Sequence, residues 1–384
     1  MRHLNAVPAL ILIAAACGTD AEGKGTTAIA APTWRLSETP VVSIGEVDGD
    51  PDYQLFRASD AAVLEDGRIV VVNTGNSTLA VYDRQGRFVT RIGRKGEGPG
   101  EFQVPLWVGD LEGDTLVAWD SQLRRLSYFD GTGRLARITT LSDADGMFVE
   151  GIGLLGDGSF LAGRGPDVFA MMGKPSGVWR DSTLLQRFGA DGRQLGTLGP
   201  FPDDEMYLLD RAGGFAWNNR PFGRETFLEA TPHGLYVGDS GTGEITILDP
   251  EGRPAGVLKS PHGSWRISEE DVARFKEARL ARMEAGDRRK ETEQILAEAP
   301  YPETTPLFAD MAVDPEGNVW VEAVPRPGEP TSRWAVLARD GTLLGQISLP
   351  SDLEVFEVGR DYVLGLRRDD LDVEHVELYS VARS

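Results

Sequence analysis

The sequence predicts an all-β protein, a six-bladed β-propeller of four-stranded antiparallel blades, and three observations predict it. A phrase of four short apolar runs punctuated by two Gly turns recurs down the chain. Glycine (46) and proline (23) together make up about 18% of the 384 residues, against a background of about 12%. The last repeat lacks one strand, while unassigned strand candidates stand near the beginning of the chain.

The bounds agree with that class. A chain of 384 residues exceeds the usual compact domain of about 100–200, so it holds several domains or a repeat that grows by adding units. Its 41% hydrophobic and 26% charged content excludes a mostly disordered chain. Thirty-nine Lys and Arg against 60 Asp and Glu leave a net charge of −21, which repels phosphates and excludes general nucleic-acid binding. One cysteine excludes an intrachain disulfide framework and a Cys-rich zinc site.

Taken in order, residues 1–16 read as a secretory signal: Arg2 and His3, an apolar run from Leu4, and Ala14-Ala15-Ala16 before Cys17. The run is shorter than the ~20 apolar residues that a spanning helix needs. Small residues leading into Cys17 resemble the lipobox of bacterial lipoproteins, with Ala14 where that pattern most often has Leu. The resemblance implies lipidation of Cys17, residues 17–33 as a flexible Gly-, Ala- and Thr-rich tether, and an exported chain anchored in the envelope. Ordinary cleavage nearby is the alternative. Gly18 in place of Asp after the cysteine favours the outer membrane, again by resemblance.

The propeller is expected over 34–384. Its first unit runs Ala61–Glu65, turn Asp66-Gly67, Arg68–Asn73, a loop, Leu79–Asp83, turn Gln85-Gly86, then Arg87–Gly93. β-Branched runs divided by Gly-containing pairs are what antiparallel hairpins require. First turns recur at Gly113-Asp114, Asp157-Gly158, His233-Gly234 and Glu316-Gly317. Second turns recur at Thr132-Gly133, Asp191-Gly192, Glu251-Gly252 and Asp340-Gly341. The sixth unit has only Val355–Val358, Tyr362–Leu366 and Val373–Val381. A strand from Trp34–Leu36 or Val41–Gly45 would complete it, closing a ring and covering its open edge. Six units of roughly 52 residues each lie near the propeller repeat lengths of about 40–50. Two β-sandwiches are the alternative.

Between blades 4 and 5, at about 267–300, a helical insertion is expected. Ser268-Glu269-Glu270-Asp271 reads as a capping box, followed by an apolar stripe of Val272, Phe275, Leu280 and Met283. Gly286-Asp287 breaks it, and a second helix is expected over Arg288–Ala299.

These units are similar to NHL-type repeats, best at Asp114–Asp130 and Gly234–Asp249. The stretch Arg91-Ile92-Gly93-Arg94-Lys95-Gly96-Glu97-Gly98-Pro99-Gly100-Glu101-Phe102 resembles a phrase common in bacterial six-bladed β-propeller lipoproteins. The resemblance covers residues 34–383 and implies the fold; it implies no ligand.

Both sets of Gly turns fall on one face of such a ring, so the longer connections share the other. That loop face carries the Gly-rich crossover 93–105, a third-blade loop over 163–181, the insertion and the Pro-rich loop 324–333, and long loops on a rigid ring are where binding resides. Candidate binding residues there are Asn73, Asp120 and Asp239 at the ends of second strands, Lys95 in the crossover, and Arg124, Arg164 and Arg367. The acidic set offers oxygens to a cation such as Ca²⁺ or caps the following loop. The basic set suits carboxylate or phosphate, or forms inter-blade ion pairs. Backbone amides around Lys95 invite a phosphate-loop reading, but no helix follows, and a tight crossover packed on Phe102 accounts for the glycines. Of the aromatics expected near the starts of inner strands (Phe102, Trp107, Phe148, Trp217 and Phe308), most read as core between blades.

Several six-bladed propellers are metal enzymes, and the zinc kind resembles a three-His arrangement in the channel. Here His233, His262 and His375 fall on a turn, after an outer strand and in an outer strand. No Gly-x-Ser-x-Gly elbow offers a nucleophile. The expectation is therefore a monomeric, lipid-anchored binding or scaffold propeller for an envelope protein, peptide or glycan. A divalent-metal-dependent hydrolase or lyase with channel carboxylates is the alternative.

Overall fold

Strand pairing in the computed structural model closes six antiparallel sheets from the repeats. It describes residues 32–383 except 112–114, 143–148, 165–173, 212–213, 282 and 284, and leaves out the side chains of 149–150, 164, 210–211 and 214–216. Strands β1 (Arg35–Leu36) and β2 (Val42–Ile44) lead into blade 1, formed by β3 (Ala58–Val63), β4 (Ile69–Asn73), β5 (Thr78–Tyr82) and β6 (Phe88–Ile92). Blade 2 is β7 (Pro105–Leu111), β8 (Thr115–Asp120), β9 (Arg125–Phe129) and β10 (Leu135–Thr140). Blade 3 holds β11 (Val149–Leu154), β12 (Phe160–Arg164), β13 (Gly177–Phe188), β14 (Gln194–Arg211) and β15 (Gly214–Asn219). Blade 4 is β16 (Thr226–Thr231), β17 (Gly234–Asp239), β18 (Glu244–Leu248) and β19 (Pro254–Lys259).

Helices α1 (Glu269–Ala281) and α2 (Asp287–Glu298) follow, as the insertion between blades 4 and 5. Blade 5 is β20 (Asp310–Val313), β21 (Val319–Glu322), β22 (Thr331–Leu337) and β23 (Leu343–Pro350). Blade 6 has only β24 (Glu354–Val358), β25 (Tyr362–Arg368) and β26 (Glu374–Ala382) of its own. Both N-terminal strands complete it: Leu36 pairs with Val381 and Ile44 with Val376 on β26. The architecture is a six-bladed propeller with its ring closed from the chain's beginning.

Sequence and burial agree within a blade. Every residue of β4 and β5 is buried, because neighbouring blades cover both faces, and such strands read as continuous apolar runs. Outer strands alternate instead, as β6 does with Val89 and Arg91 outward. Apolar cores fill the seams: Ile44, Val71, Tyr82, Leu364 and Val376 between blades 6 and 1, and Trp34, Trp320, Trp334 and Tyr379 between 5 and 6. Gly86 and Gly133 sit at φ of 75° and 81°, the left-handed region that their turns need. Each of those turns is also tied by the preceding aspartate: Asp83 Oδ1 accepts the N–H groups of Gln85 and Arg87, and Asp130 Oδ1 those of Thr132 and Arg134.

Blade 3 departs from the expected pattern. The loop expected over 163–181 gives way to strand from Gly177, and the crossover to blade 4 becomes a ribbon rather than a coil. Strand β14 pairs with β13 as far out as Gly177 with Leu208, then with β15 from Met206–Asn219 to Arg211–Gly214. A long excursion must satisfy its main-chain groups, and pairing does so locally. Trp217 therefore lies on this fifth strand, not near the start of an inner strand as expected. Phe148 lies outside the described residues.

Candidate functional site

The inner strands β3, β7, β11, β16, β20 and β24 line a central channel. The first and second turns lie at one end of it, and the longer connections at the other.

At the loop end, the strand-end oxygens are used by main chain. Asn73 Oδ1 accepts the N–H of Phe56 at 3.0 Å, and its Nδ2 donates to the Gln54 carbonyl at 3.1 Å. Asp120 is fully buried; Oδ2 accepts from Gln103 (2.7 Å) and Val104 (3.2 Å), and Oδ1 from Leu123 (2.9 Å). Asp239 accepts from the Gly241 N–H at 2.9 Å and the Arg180 guanidinium at 2.7 Å. Burial opposes its charge, yet Arg180 and Gly241 hold it below the ordinary Asp range.

Lys95 is exposed on the Gly-rich crossover, whose inward groups the chain itself satisfies. Glu101 Oε2 accepts the Gly98 N–H at 2.9 Å and Oε1 takes Arg94 Nε at 2.8 Å, so an internal carboxylate stands where a phosphate would need to be. That Gly98 bond, then Arg94, hold Glu101 below its usual range. Buried Arg125 donates to the carbonyls of Glu97, Gly98 and Glu101. Phe102 is fully buried between blades 1 and 2.

Arg124 follows Asp120 at φ 50°, with its carbonyl accepting from Leu141. Arg164 ends β12, and its side chain lies outside the described residues. Arg367 makes a two-pronged pair with Asp352, Nε and Nη2 each at 3.0 Å, tying the blade 5–6 crossover to β25. These candidates stand on blades 1, 2, 3, 4 and 6, spread around the rim rather than gathered.

Two arrangements escape the sequence reading. The first is built by the insertion. Ser268 and Asp271 cap α1 reciprocally: Ser268 Oγ accepts the Asp271 N–H (3.2 Å) and Asp271 Oδ2 accepts the Ser268 N–H (2.9 Å). Arg326 of blade 5 pairs with Asp271 at 3.1 Å and stacks on Trp265 at 4.3 Å. The Phe222 ring, presented by a residue at φ 55°, packs 5.0 Å from Phe275 of α1 and 6.4 Å from Tyr301. Arg220 donates to the Pro300 carbonyl at 2.7 Å and pairs with Glu205 at 3.2 Å. Beside the clamp lies a cavity of about 420 Å³, walled by blade 3, its crossover and the segments that flank the helices, and lined among others by Glu205, Arg220, Phe222, Arg224 and Thr304. Arg224 is 59% exposed and only 3.7 Å from Glu205, a loose pair that leaves its charge facing the cavity.

The second arrangement is the channel wall. Each inner strand carries an acid in an otherwise mainly apolar or small run: Asp60, Asp110, Glu150, Glu229, Asp310 and Glu357. That recurrence is the signal that could have found them; Glu150's side chain lies outside the described residues. Burial pushes Asp60 and Glu229 up to about 8 and Asp310 and Glu357 to about 7, and the mutual repulsion of the acids adds to it. The channel widens to about 1020 Å³ at the turn end, past Asp110, Phe356, Glu357 and Tyr362. At the loop end it holds about 330 Å³ beside Asp203, Asp204, Thr226 and Asp310. Glu229 borders both and marks the waist. Among the described residues no three His, Cys, Asp or Glu side chains are grouped so as to hold one metal ion. Nor is any helix among them long and apolar enough to cross a membrane.

A family model described as a 6-bladed beta-propeller (DUF5128) matches residues 54–151. A solved structure from Bacteroides vulgatus, a member of the DUF4221 family, is similar at a TM-score of 0.54 and 13% identity, over 92% of this chain and all of that one. A putative exported protein from Bacteroides fragilis is similar at 0.48 and 12%, over 91% and 95% of the two chains. A streptogramin B lyase is similar at 0.41 and 9%, over 91% and 98%. Likeness at these identities concerns the fold alone. No curated protein matches the sequence.

Proposed function

We propose that the protein is an exported propeller, lipid-anchored at Cys17 in the outer membrane, that binds an envelope protein, peptide or glycan through its loop face and performs no chemistry of its own. One observation carries the reading. The insertion does not lie loosely on the ring; an aromatic and ionic clamp holds it beside a polar cavity walled by blade 3, its crossover and the segments that flank the helices, with Phe222 as an apolar surface and Arg224 exposed within it. Pockets that combine an apolar surface with a few directed polar groups are built for recognition. Arg224 suits a carboxylate or another oxygen-rich group on the partner. The opposite face offers tight turns around the channel's wider end.

The metal-enzyme alternative draws support from the channel carboxyls, whose mutual repulsion a divalent cation would relieve.

Capture tests the loop-face reading. Residues 32–384 immobilised over envelope extracts and glycan arrays should retain a specific component. Replacing 268–299 by a short linker should weaken retention while the ring stays folded, and Arg224→Ala should weaken it about tenfold. Equal retention by all three proteins would remove the loop face from the assignment. The anchor is tested separately: Cys17→Ser should move the protein from the membrane fraction to the soluble one, and an unchanged membrane fraction would refute lipidation there.

A further inference from the structure

One residue of the loop-face cavity is fixed by its main chain while its charge is left unspent. Glu205 of β14 grips Arg224 twice: its N–H donates to the Arg224 carbonyl at 2.8 Å, and its Oε2 accepts the Arg224 N–H at 3.1 Å. The Arg224 stem then lies over Gly241, where a Cβ would come within 2.7 Å of Arg224 Cδ. At the tip, Nε stands 3.7 Å from Glu205 Oε1, beyond hydrogen-bond reach. None of the N–H donors of this guanidinium has a hydrogen-bond partner among the described residues. Arg220 differs, since it spends Nε on the Pro300 carbonyl and Nη1 on Glu205.

A second open group lines the same cavity. Residues 265–267 and 303–305 form a short antiparallel ribbon at the base of the insertion. The Ile267 N–H donates to the Glu303 carbonyl at 2.9 Å, and the Thr305 N–H to the Trp265 carbonyl at 3.0 Å. Those bonds flank the bridge between Arg266 and Thr304, which turns the N–H and C=O of Thr304 outward. Thr304 is exposed, and its main chain bonds to nothing among the described residues.

We propose that this cavity receives the free C-terminus of a polypeptide: Arg224 takes the terminal carboxylate, Thr304 pairs with the main chain just ahead of it, and Phe222 bears the last side chain.

The inference rests on the loop-face reading and names its partner. A guanidinium fork matches a carboxylate with two parallel bonds, which orient as well as hold it. Capture of a chain end and pairing along an open main-chain edge are two recurring ways to grip a peptide. A sugar acid also suits Arg224, but it offers no main chain to pair along Thr304. The volume of about 420 Å³ lies at the small end of ligand pockets, which suits a chain end better than a folded surface. Pro302 and Glu303 also border a groove of about 520 Å³ beside α1, walled by Val272, Ala273 and Tyr301, which gives the preceding residues an apolar bed. Of the cavity's acids, Glu205 is occupied by Arg220 and the Arg224 N–H, whereas Glu303 is exposed. With Glu303 present and a net charge of −21 on the chain, negative charge in general is not drawn here. Binding depends on the directed contact with Arg224.

The test is an array of peptides of about ten residues, attached by their N-termini and ending in every amino acid, each as free acid and as C-terminal amide. Probed with the full chain, free acids with an apolar last residue should bind, and their amides about tenfold more weakly. Arg224→Ala should bring the free acids down to the amides and leave the amides unchanged, with Arg224→Lys between the two. The Arg224→Ala protein should melt as the wild type does, so that a loss of binding is not a loss of fold. Acids and amides bound alike, free-acid binding indifferent to Arg224→Ala, or no peptide held more tightly than about 1 mM would each overturn the inference. Glucuronic acid oligosaccharides on the same array separate the sources. Their capture through Arg224 in place of the peptides would overturn the chain-end receptor and leave the loop face as the binding surface. Failure of the loop-face reading itself would show differently, as retention from envelope extracts that ignores both Arg224→Ala and the removal of 268–299.

Discussion

Asp120 shows how a single residue can look like a ligand and serve as a brace. Strand-end acids recurring from blade to blade suggest oxygen ligands, and one oxygen donor per blade is how a channel cation would be held. In the structure all three bonds of Asp120 come from backbone N–H groups of neighbouring loops, inside a fully buried pocket. Removing the carboxylate strands those donors away from water, at a cost of about 1–3 kcal/mol for an unsatisfied buried group. Asp120→Ala should therefore lower stability by about 3 kcal/mol in urea unfolding, and added calcium should not change the wild-type curve. A calcium-dependent rise in wild-type stability would return the position to the ligand reading. Arg125 has the same character: a buried cation whose three carbonyl partners shape the Gly-rich crossover from within.

Among the elements, the N-terminal strands have the clearest consequence. Trp34 packs edge-on against Trp320 at 5.5 Å, and Val42 and Ile44 are buried against blade 6. Burying three such side chains contributes roughly 6 kcal/mol. Their loss also bares the edge of β26, a template for pairing with another chain. A protein starting at Glu46 should melt at a markedly lower temperature and elute as higher oligomers in size-exclusion chromatography; a monomer of unchanged melting temperature would mean that the ring closes without them. The insertion is different in kind. Its helices are short and mostly exposed, and their place depends on Phe222, Trp265 and Arg326, all contributed by the ring or its crossovers.

At the scale of the whole molecule, charge is distributed in two populations. The surface carries most of a net −21, much of it in local pairs such as Arg87 with Asp83 and Arg253 with Asp249, which contribute little each and fade with salt. The channel holds its acids half-buried on the inner strands, where burial raises their affinity for protons. The melting temperature of the ring should therefore fall as pH rises from 7 to 9, because these acids bind protons more tightly folded than unfolded; a flat series would mean that the channel leaves them in water.

By itself the sequence determined what is local or countable. Asp-Gly and related turns carry their own φ preference and their own side-chain cap, so the blade phrase is legible within a few residues. Counting strands was enough to expect that Trp34–Leu36 or Val41–Gly45 would close blade 6, and both segments do. Ser268 and Asp271 announce a helix start because their bonds span only three residues. The ribbon of blade 3 was not legible, since β14 is specified by partners on both β13 and β15 and not by its own pattern. The channel was decided by the tertiary structure alone. The inner strands show unremarkable acids, one each except for the two of β24, and only closure brings Asp60 to Val108 and Glu357 to Val63, half-burying those carboxyls on the channel wall. Their raised affinity for protons comes from that burial and that company, neither of which is a property of a stretch of chain.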